Sequence, residues 1–175
     1  MFEVIRRFAE AQDAPASMAR AQGRTWFEVA RNELELGAKI SHWIWWTFPQ
    51  FLPDRPLAEL SPNSRKYAIS DTQEAIAYLN TPLLCNRYHD LTRVILDHLS
   101  RRTVVPEVLM GSEADCKKLV SSLTLFAAVA FRSARLELAR DATGVLVLME
   151  TAGFSVCEHT LRNIDFSGFE SVGVV

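Results

Sequence analysis

Apolar side chains recur along most of this chain at intervals of three and four residues, the spacing that lines one side of an α-helix. Phe2, Ile5, Phe8 and Ala9 begin the pattern, and the Pro-, Ser- and Gly-containing stretch 14–23 interrupts it as a connector would. Thr25 then stands where an N-cap belongs, WFEVARNELEL follows, and Gly37 lies where a helix end takes a left-handed residue. Trp26, Val29, Ala30 and Leu34 form the expected inner face. Ser70 and Gln73 have capping-box spacing ahead of the next helical run. Thr81 and Pro82 suit the N-cap and first turn of another, whose stripe is Leu83, Leu84, Tyr88, Leu91, Ile95 and Leu99. PEVLM reads as a short turn of helix ending on Gly111, and Ser112 with Asp115 caps EADCKKLVSSLTLFAAVAF. Beyond Leu119 that last segment is apolar on most sides, which predicts a central helix with Leu123, Leu125 and Phe126 buried.

Two regions break the pattern. The segment 51–66, FLPDRPLAELSPNSRK, holds three prolines with Asp, Asn and Ser, and reads as a long irregular loop of the kind that often carries function. GVLVLMETAGF suits a strand or a helix by its composition and is read as helix. The tail 165–175, with two glycines and little periodicity, is expected to be irregular. The pattern as a whole predicts a mostly α protein: one domain over residues 1–175, an irregular helical bundle of about six to eight helices.

Composition narrows the class. With 49% hydrophobic and 23% charged residues the chain has ordinary globular usage, and its formal charge of -2 gathers neither nucleic acid nor anionic membrane. The paired bases Arg6-Arg7, Arg65-Lys66, Arg101-Arg102 and Lys117-Lys118 are spread widely, as on solvated helix faces. Three cysteines, Cys85, Cys116 and Cys157, show no C-x-x-C spacing, so free thiols in a reducing cytoplasm are expected. The N-terminal stretch carries acids among its apolar residues, unlike a secretory signal, and no segment is apolar enough to span a bilayer. A monomer or weak homodimer is the expected state.

Catalytic signatures for dinucleotide, P-loop, nucleophile-elbow and zincin chemistry are absent, and His42, His89, His98 and His159 include no i, i+4 pair. Neither a metal nor a cofactor is expected. Two stretches carry candidate chemistry. SHWIWWTFPQ, residues 41–50, splits under helical spacing into Trp43, Trp46 and Thr47 on one side and His42, Trp45 and Pro49 on another, so one set can pack inward while the other borders a cavity. Lys118, Ser121, Ser122 and Thr124 form a polar group inside an apolar helix. Lys118 and Ser122, one turn apart, have the spacing to hold a phosphate or carboxylate, although Ser and Thr in buried helices also bond back to their own backbone. A Ser122–Lys118 nucleophile pair is disfavoured by its mid-helix position, away from free N–H groups.

The resulting expectation is a soluble protein that binds a small polar or anionic metabolite, nucleotide-like ones included, in a Trp-lined cleft. Its ligand-binding residues would be Trp43, Trp46, Gln50, Lys118, Ser121 and Ser122, with His42 as general acid or base if there is turnover. The alternative is a non-enzymatic interaction module that docks a protein through an exposed aromatic patch.

FEVIRRFAEAQ near the start, SHWIWWTFPQ, YAISDTQEAIAYLNTPLL and the pattern G-x-x-x-D-x-x-K-L-x-S-S-L-T-L-F from Gly111 to Phe126 resemble, in order and spacing, domain of unknown function 1810. The resemblance spans roughly residues 2–130 and implies a mainly α-helical, mostly bacterial family whose biochemical function is not established. Further on, Val147-Leu148 and Thr160-Leu161 are the counterparts that the family spacing offers, with Cys157 where the pattern has Asp. The loop 51–64 lacks the family's glycine-rich form.

Overall fold

Capping chemistry sets most of the helix boundaries in the computed structural model, which describes residues 2–18 and 21–167. Helix α1 spans Phe2–Asp13 and α2 spans Trp26–Glu35, opened by a full capping box in which the Thr25 hydroxyl accepts the Glu28 N–H and Glu28 accepts the Thr25 N–H. Gly37 follows at φ +80°, the left-handed position expected of it. Ile5, Phe8, Val29, Ala30 and Leu34 are buried and Trp26 is half-buried; the Phe2 side chain falls outside the described residues.

The Trp-rich stretch forms only a one-turn helix, α3 (Ile44–Thr47), which stops before Pro49 as a helix must ahead of a proline. The segment after it is not the continuous loop that three prolines suggested. It contains a 3₁₀ turn at Leu57–Glu59 and a short α4 (Pro62–Lys66), in which Pro62 fills the first turn and the Ser61 hydroxyl accepts the Ser64 N–H. A proline in a first turn starts a helix as readily as an interior one breaks it, so Pro62 opens α4. Helix α5 (Thr72–Asn80) also differs in detail: its cap is Asp71, whose carboxylate accepts the Glu74 N–H at 2.8 Å, while Ser70 donates its own N–H and hydroxyl to Glu74.

Helix α6 (Pro82–Ser100) begins at Thr81, but the Thr81 hydroxyl bonds back to the Ala77 carbonyl instead of capping. Its inner stripe is Leu84, Tyr88, Leu91, Ile95 and Leu99, with Leu83 exposed. After the single turn α7 (Pro106–Leu109), Ser112 caps α8 (Glu113–Arg132) by accepting the Asp115 N–H. The ambiguous apolar run lies in α9 (Leu136–Thr151), where Gly144 lets α6 approach: a Cβ there would meet Leu96 at 3.2 Å. A final short α10 (Glu158–Asn163) had no clear periodic signal. Residues 165–167 carry no helix, and the rest of the expected irregular tail, 168–175, lies outside the described residues.

The protein is thus mostly α, with ten α-helices among the described residues, six of them nine residues or longer, and two isolated β-bridges in place of any strand. Helix α8 packs on α3, α5, α7, α9 and α10, and Leu123, Leu125 and Phe126 are sealed from solvent. Around Phe126 stand Tyr78 and Tyr88 at ring-centroid distances of 5.1 and 4.7 Å, with Phe48 beyond Tyr88. Among the described residues no helix is long and apolar enough to cross a membrane.

Candidate functional site

One turn of α-helix separates Ala114 from Lys117 and Lys118, and Lys117 and Lys118 from Ser121, so the four share a face. That face forms one wall of an open cleft of about 530 Å³. The facing wall is the proline-bearing segment, through Pro53, Asp54, Arg55, Glu59 and Leu60, with Ser61 and Ser64 of α4. Gln50 and Phe51 line it as well, and α10 adds Cys157, His159 and Arg162. Among the charged lining groups the bases Arg55, Lys117, Lys118 and Arg162 outnumber the acids Asp54 and Glu59.

Lys118 is the most constrained of those bases. Its Nζ lies 2.7 Å from Asp115 Oδ1 and 4.8 Å from the centroid of the Trp45 ring. Asp115 uses its other oxygen for Lys39, 2.5 Å away, whose side chain is only 5% exposed. Burial pushes the Asp115 carboxyl up, but hydrogen bonds and charge from Lys118 and Lys39 outweigh it and hold the group below the ordinary aspartate range. Trp45, half-buried, donates its indole N–H to Ser64 at 3.2 Å, so both of its polar neighbours line the cleft.

Of the residues singled out from sequence, Gln50, Lys118 and Ser121 meet in this cleft. The others lie elsewhere. Trp43 is fully buried, its indole N–H 2.8 Å from Glu33 and its ring under Lys39. Trp46 is 7% exposed and packs edge-on against Trp26 and Tyr67. Ser122 is fully buried with its hydroxyl 3.0 Å from that of Tyr88. Thr124 bonds back to the Val120 carbonyl. His42 is exposed and does not line the cleft. The helical split describes the burial of Trp43, Trp46 and Thr47 and the greater exposure of His42 and Trp45, but not Pro49, which lies past the one-turn helix and is buried; the tryptophan beside the cleft is Trp45, from the set opposite Trp43 and Trp46.

Several groups at or behind the cleft escaped the sequence reading. Glu33 accepts from Ile40 N, Ser41 N, the Ser41 hydroxyl and Trp43 Nε1; these bonds keep its carboxyl below the usual glutamate range although burial works the other way. Cys157 is similar: burial pushes the thiol up, but the Thr160 and Ser121 hydroxyls and the backbone N–H groups of Thr160 and His159 bring it below an ordinary thiol. The Ser121 and Thr160 hydroxyls are 2.9 Å apart. His159 Nε2 lies 3.0 Å from the Leu52 carbonyl, tying α10 to the start of the proline segment. The one signal that could have pointed to these residues was the polar Cys-x-His-Thr run itself, and nothing local says that it folds back on α8.

Other concavities are present. A cleft of about 390 Å³ beyond the His159–Leu52 link, lined by Ser70, Asp71, Thr72, Asn163 and Asp165 among others, contains no lysine or arginine. A wider groove of about 660 Å³ along α6 and α9 holds Arg31, Arg93, Arg101 and Arg140 beside Asp90, Asp97 and Asp141, and none of the ligand-binding candidates taken from the sequence. No group of three His, Cys, Asp or Glu side chains is arranged to hold a metal among the described residues.

A family model described as "Protein of unknown function (DUF1810)" matches residues 3–141, a span that includes the α8 and Gln50 walls and leaves out α10. No curated protein matches the chain. Among solved structures, the conserved hypothetical protein Rv1873 from Mycobacterium tuberculosis is similar, with a TM-score of 0.62 and 28% identity over 91% of this chain and 95% of that one.

Proposed function

From the premise that the chain belongs to the DUF1810 family of proteins of unknown function, we propose that it binds a small polar or anionic metabolite in the cleft between α8 and the proline-bearing segment. One observation carries the reading: Gln50, far away in sequence, lines a single cavity of small-molecule size together with Lys118 and Ser121 of α8, all three chosen for their chemistry. Gln50 and Ser121 offer neutral hydrogen bonds, Lys118 a charge-assisted one, and the Trp45 ring lies under the Lys118 ammonium. The tryptophans take a supporting part here, since Trp43 and Trp46 are buried. Their burial also weakens the rival reading, docking of a protein partner on an exposed aromatic patch.

The test is a thermal-shift screen of the whole protein against small polar metabolites, neutral and anionic. A specific ligand raises the midpoint by mass action whatever the chemistry. Hits at this cleft lose their shift in Gln50→Ala and Ser121→Val. Hits indifferent to both variants, or no hits at all, reject the reading.

A further inference from the structure

Two lysines share one carboxylate at the back of the cleft, and only one of them is open to it. Asp115 is flanked by two lysines, one on each carboxylate oxygen, so the Lys39–Asp115–Lys118 group carries one more positive than negative charge. Lys39 and Asp115 are buried, and Lys39 also covers the Trp43 ring whose indole N–H bonds the Glu33 carboxylate, so the inner lysine has negative charge on more than one side while Lys118 has a share of Asp115. Lys39 is almost sealed, whereas Lys118 is 26% exposed and lines the cleft, so the surplus is open to solvent on that side. With Asp115 one turn back and the Trp45 face on another side, the ammonium is held in place before any ligand arrives.

We propose that the cleft is the binding site for a phosphate-bearing small molecule, with Lys118 contacting the phosphate and the Lys39–Asp115 pair acting as its buried anchor. The proposal rests on the functional reading above and names its ligand class. Bases reach the cavity from three separate elements: Lys117 and Lys118 from α8, Arg55 from the proline segment and Arg162 from α10. A tetrahedral dianion with three peripheral oxygens can meet cations from several directions; a planar carboxylate meets fewer. Arg55 holds no side-chain ion pair among the described residues. Lys117 and Arg162 have only exposed partners one turn away, Glu113 and Glu158, and such surface pairs give way cheaply. The acids Asp54 and Glu59 stand on the same wall as Arg55, where they would accept hydrogen bonds from hydroxyl or amine groups. The lining thus suits a ligand that carries a phosphate together with hydroxyl or amine donors, as in a monophosphate ester of a polyhydroxy or amino compound.

Inorganic phosphate is the probe for the acidic end. At ionic strength held constant with sodium chloride, phosphate should raise the wild-type unfolding midpoint along a saturating curve and slow alkylation of Cys157, which lines the cleft, while leaving Cys85 unaffected. Lys118→Met keeps most of the stem and should lose both effects, with affinity down by about tenfold or more, as for a charge-assisted contact. Lys118→Arg, which restores the charge, should regain Cys157 protection. Equal stabilisation by chloride, unprotected Cys157, or undiminished phosphate binding in Lys118→Met overturns the assignment. Cys157 protection is read on the unaltered protein and so survives a misfolded variant. If neutral polar compounds bind through Gln50 and Ser121 while phosphate does not, the phosphate assignment falls and the metabolite cleft stands; if neither binds, both fall.

Discussion

Asp115 is the residue on which most of the site's electrostatics turn, because two lysines depend on one carboxylate. Replacing it with Asn leaves Lys39 buried without a counter-ion, and breaking such a pair costs about 3–5 kcal/mol; urea unfolding of Asp115→Asn should show a loss of that size. The same residue governs the acid limb. Asp115 and Glu33 both titrate below their ordinary ranges when folded, despite burial, because of their hydrogen-bond donors. A lowered folded pKa gives stability that is complete above the unfolded value and lost as pH falls through the folded one. The unfolding midpoint should therefore drop below about pH 4, where free carboxylates begin to protonate, and the drop should be shallower in Asp115→Asn. A different residue-level contrast separates the thiols. Cys157 is held below an ordinary thiol, while burial, aided by Glu107, Asp115 and Glu113, pushes Cys116 up to about 12. Alkylation of the native protein near neutral pH, followed by peptide mapping, should label Cys157 well before Cys116; the reverse order would contradict these environments.

Between residues and the whole, the junction of α7 and α8 decides whether Lys39 reaches Asp115. Gly111 has φ +76°, and a Cβ on it would lie 2.5 Å from the Lys39 carbonyl oxygen. The Lys39 N–H meanwhile donates to the Leu109 carbonyl at 2.9 Å, so neither backbone can retreat without losing a bond. Gly111→Ala combines a left-handed strain of about 1–3 kcal/mol with that collision. Chemical denaturation should report a loss of at least the strain term, and a loss below it would mean that the chain shifts freely here. Element limits that depend on local chemistry, such as the Thr25 capping box and the Ser112 cap, could be read along the chain. Shorter elements could not: α4 and α10 have too few residues for a period to show. The shift of the α5 cap from Ser70 to Asp71 turned on which of two adjacent good caps takes the extended backbone.

At the scale of the molecule, one aromatic cluster joins α5, α6 and α8 through Tyr78, Tyr88 and Phe126, all without solvent contact. Phe126→Ala should cost about 3–5 kcal/mol, the usual price of an emptied aromatic site in a core. Phe126→Leu, which leaves less of the volume empty, should cost less. Denaturant midpoints of the two variants test this; equal and small losses would mean that the core collapses readily around the gap. The cleft stands apart from this cluster: its walls are the outer, N-terminal half of α8 and the segments folded over it. Core variants should therefore lower stability more than they change binding at the cleft.

By itself the sequence determined the helical class, the central place of α8, the left-handed Gly37 and Gly111, and the division of SHWIWWTFPQ into buried and less buried sides. These follow from periodicity and capping, which act between residues a few positions apart and so are written locally. It also marked Gln50, Lys118 and Ser121 as polar groups in apolar company. Tertiary structure alone decided which tryptophan borders the cleft, because the packing of the Trp-rich turn against α8 puts Trp45 beside Lys118, while Trp43 bonds Glu33 of α2. It alone brought Cys157 and His159 against α8, set Ser122 facing Tyr88, and divided Asp115 between two lysines. Apart from Asp115 with Lys118, one turn apart on α8, each of those pairings joins side chains from separate elements. Charge and hydrogen bonding depend on distances that packing sets, and no spacing along the chain encodes them.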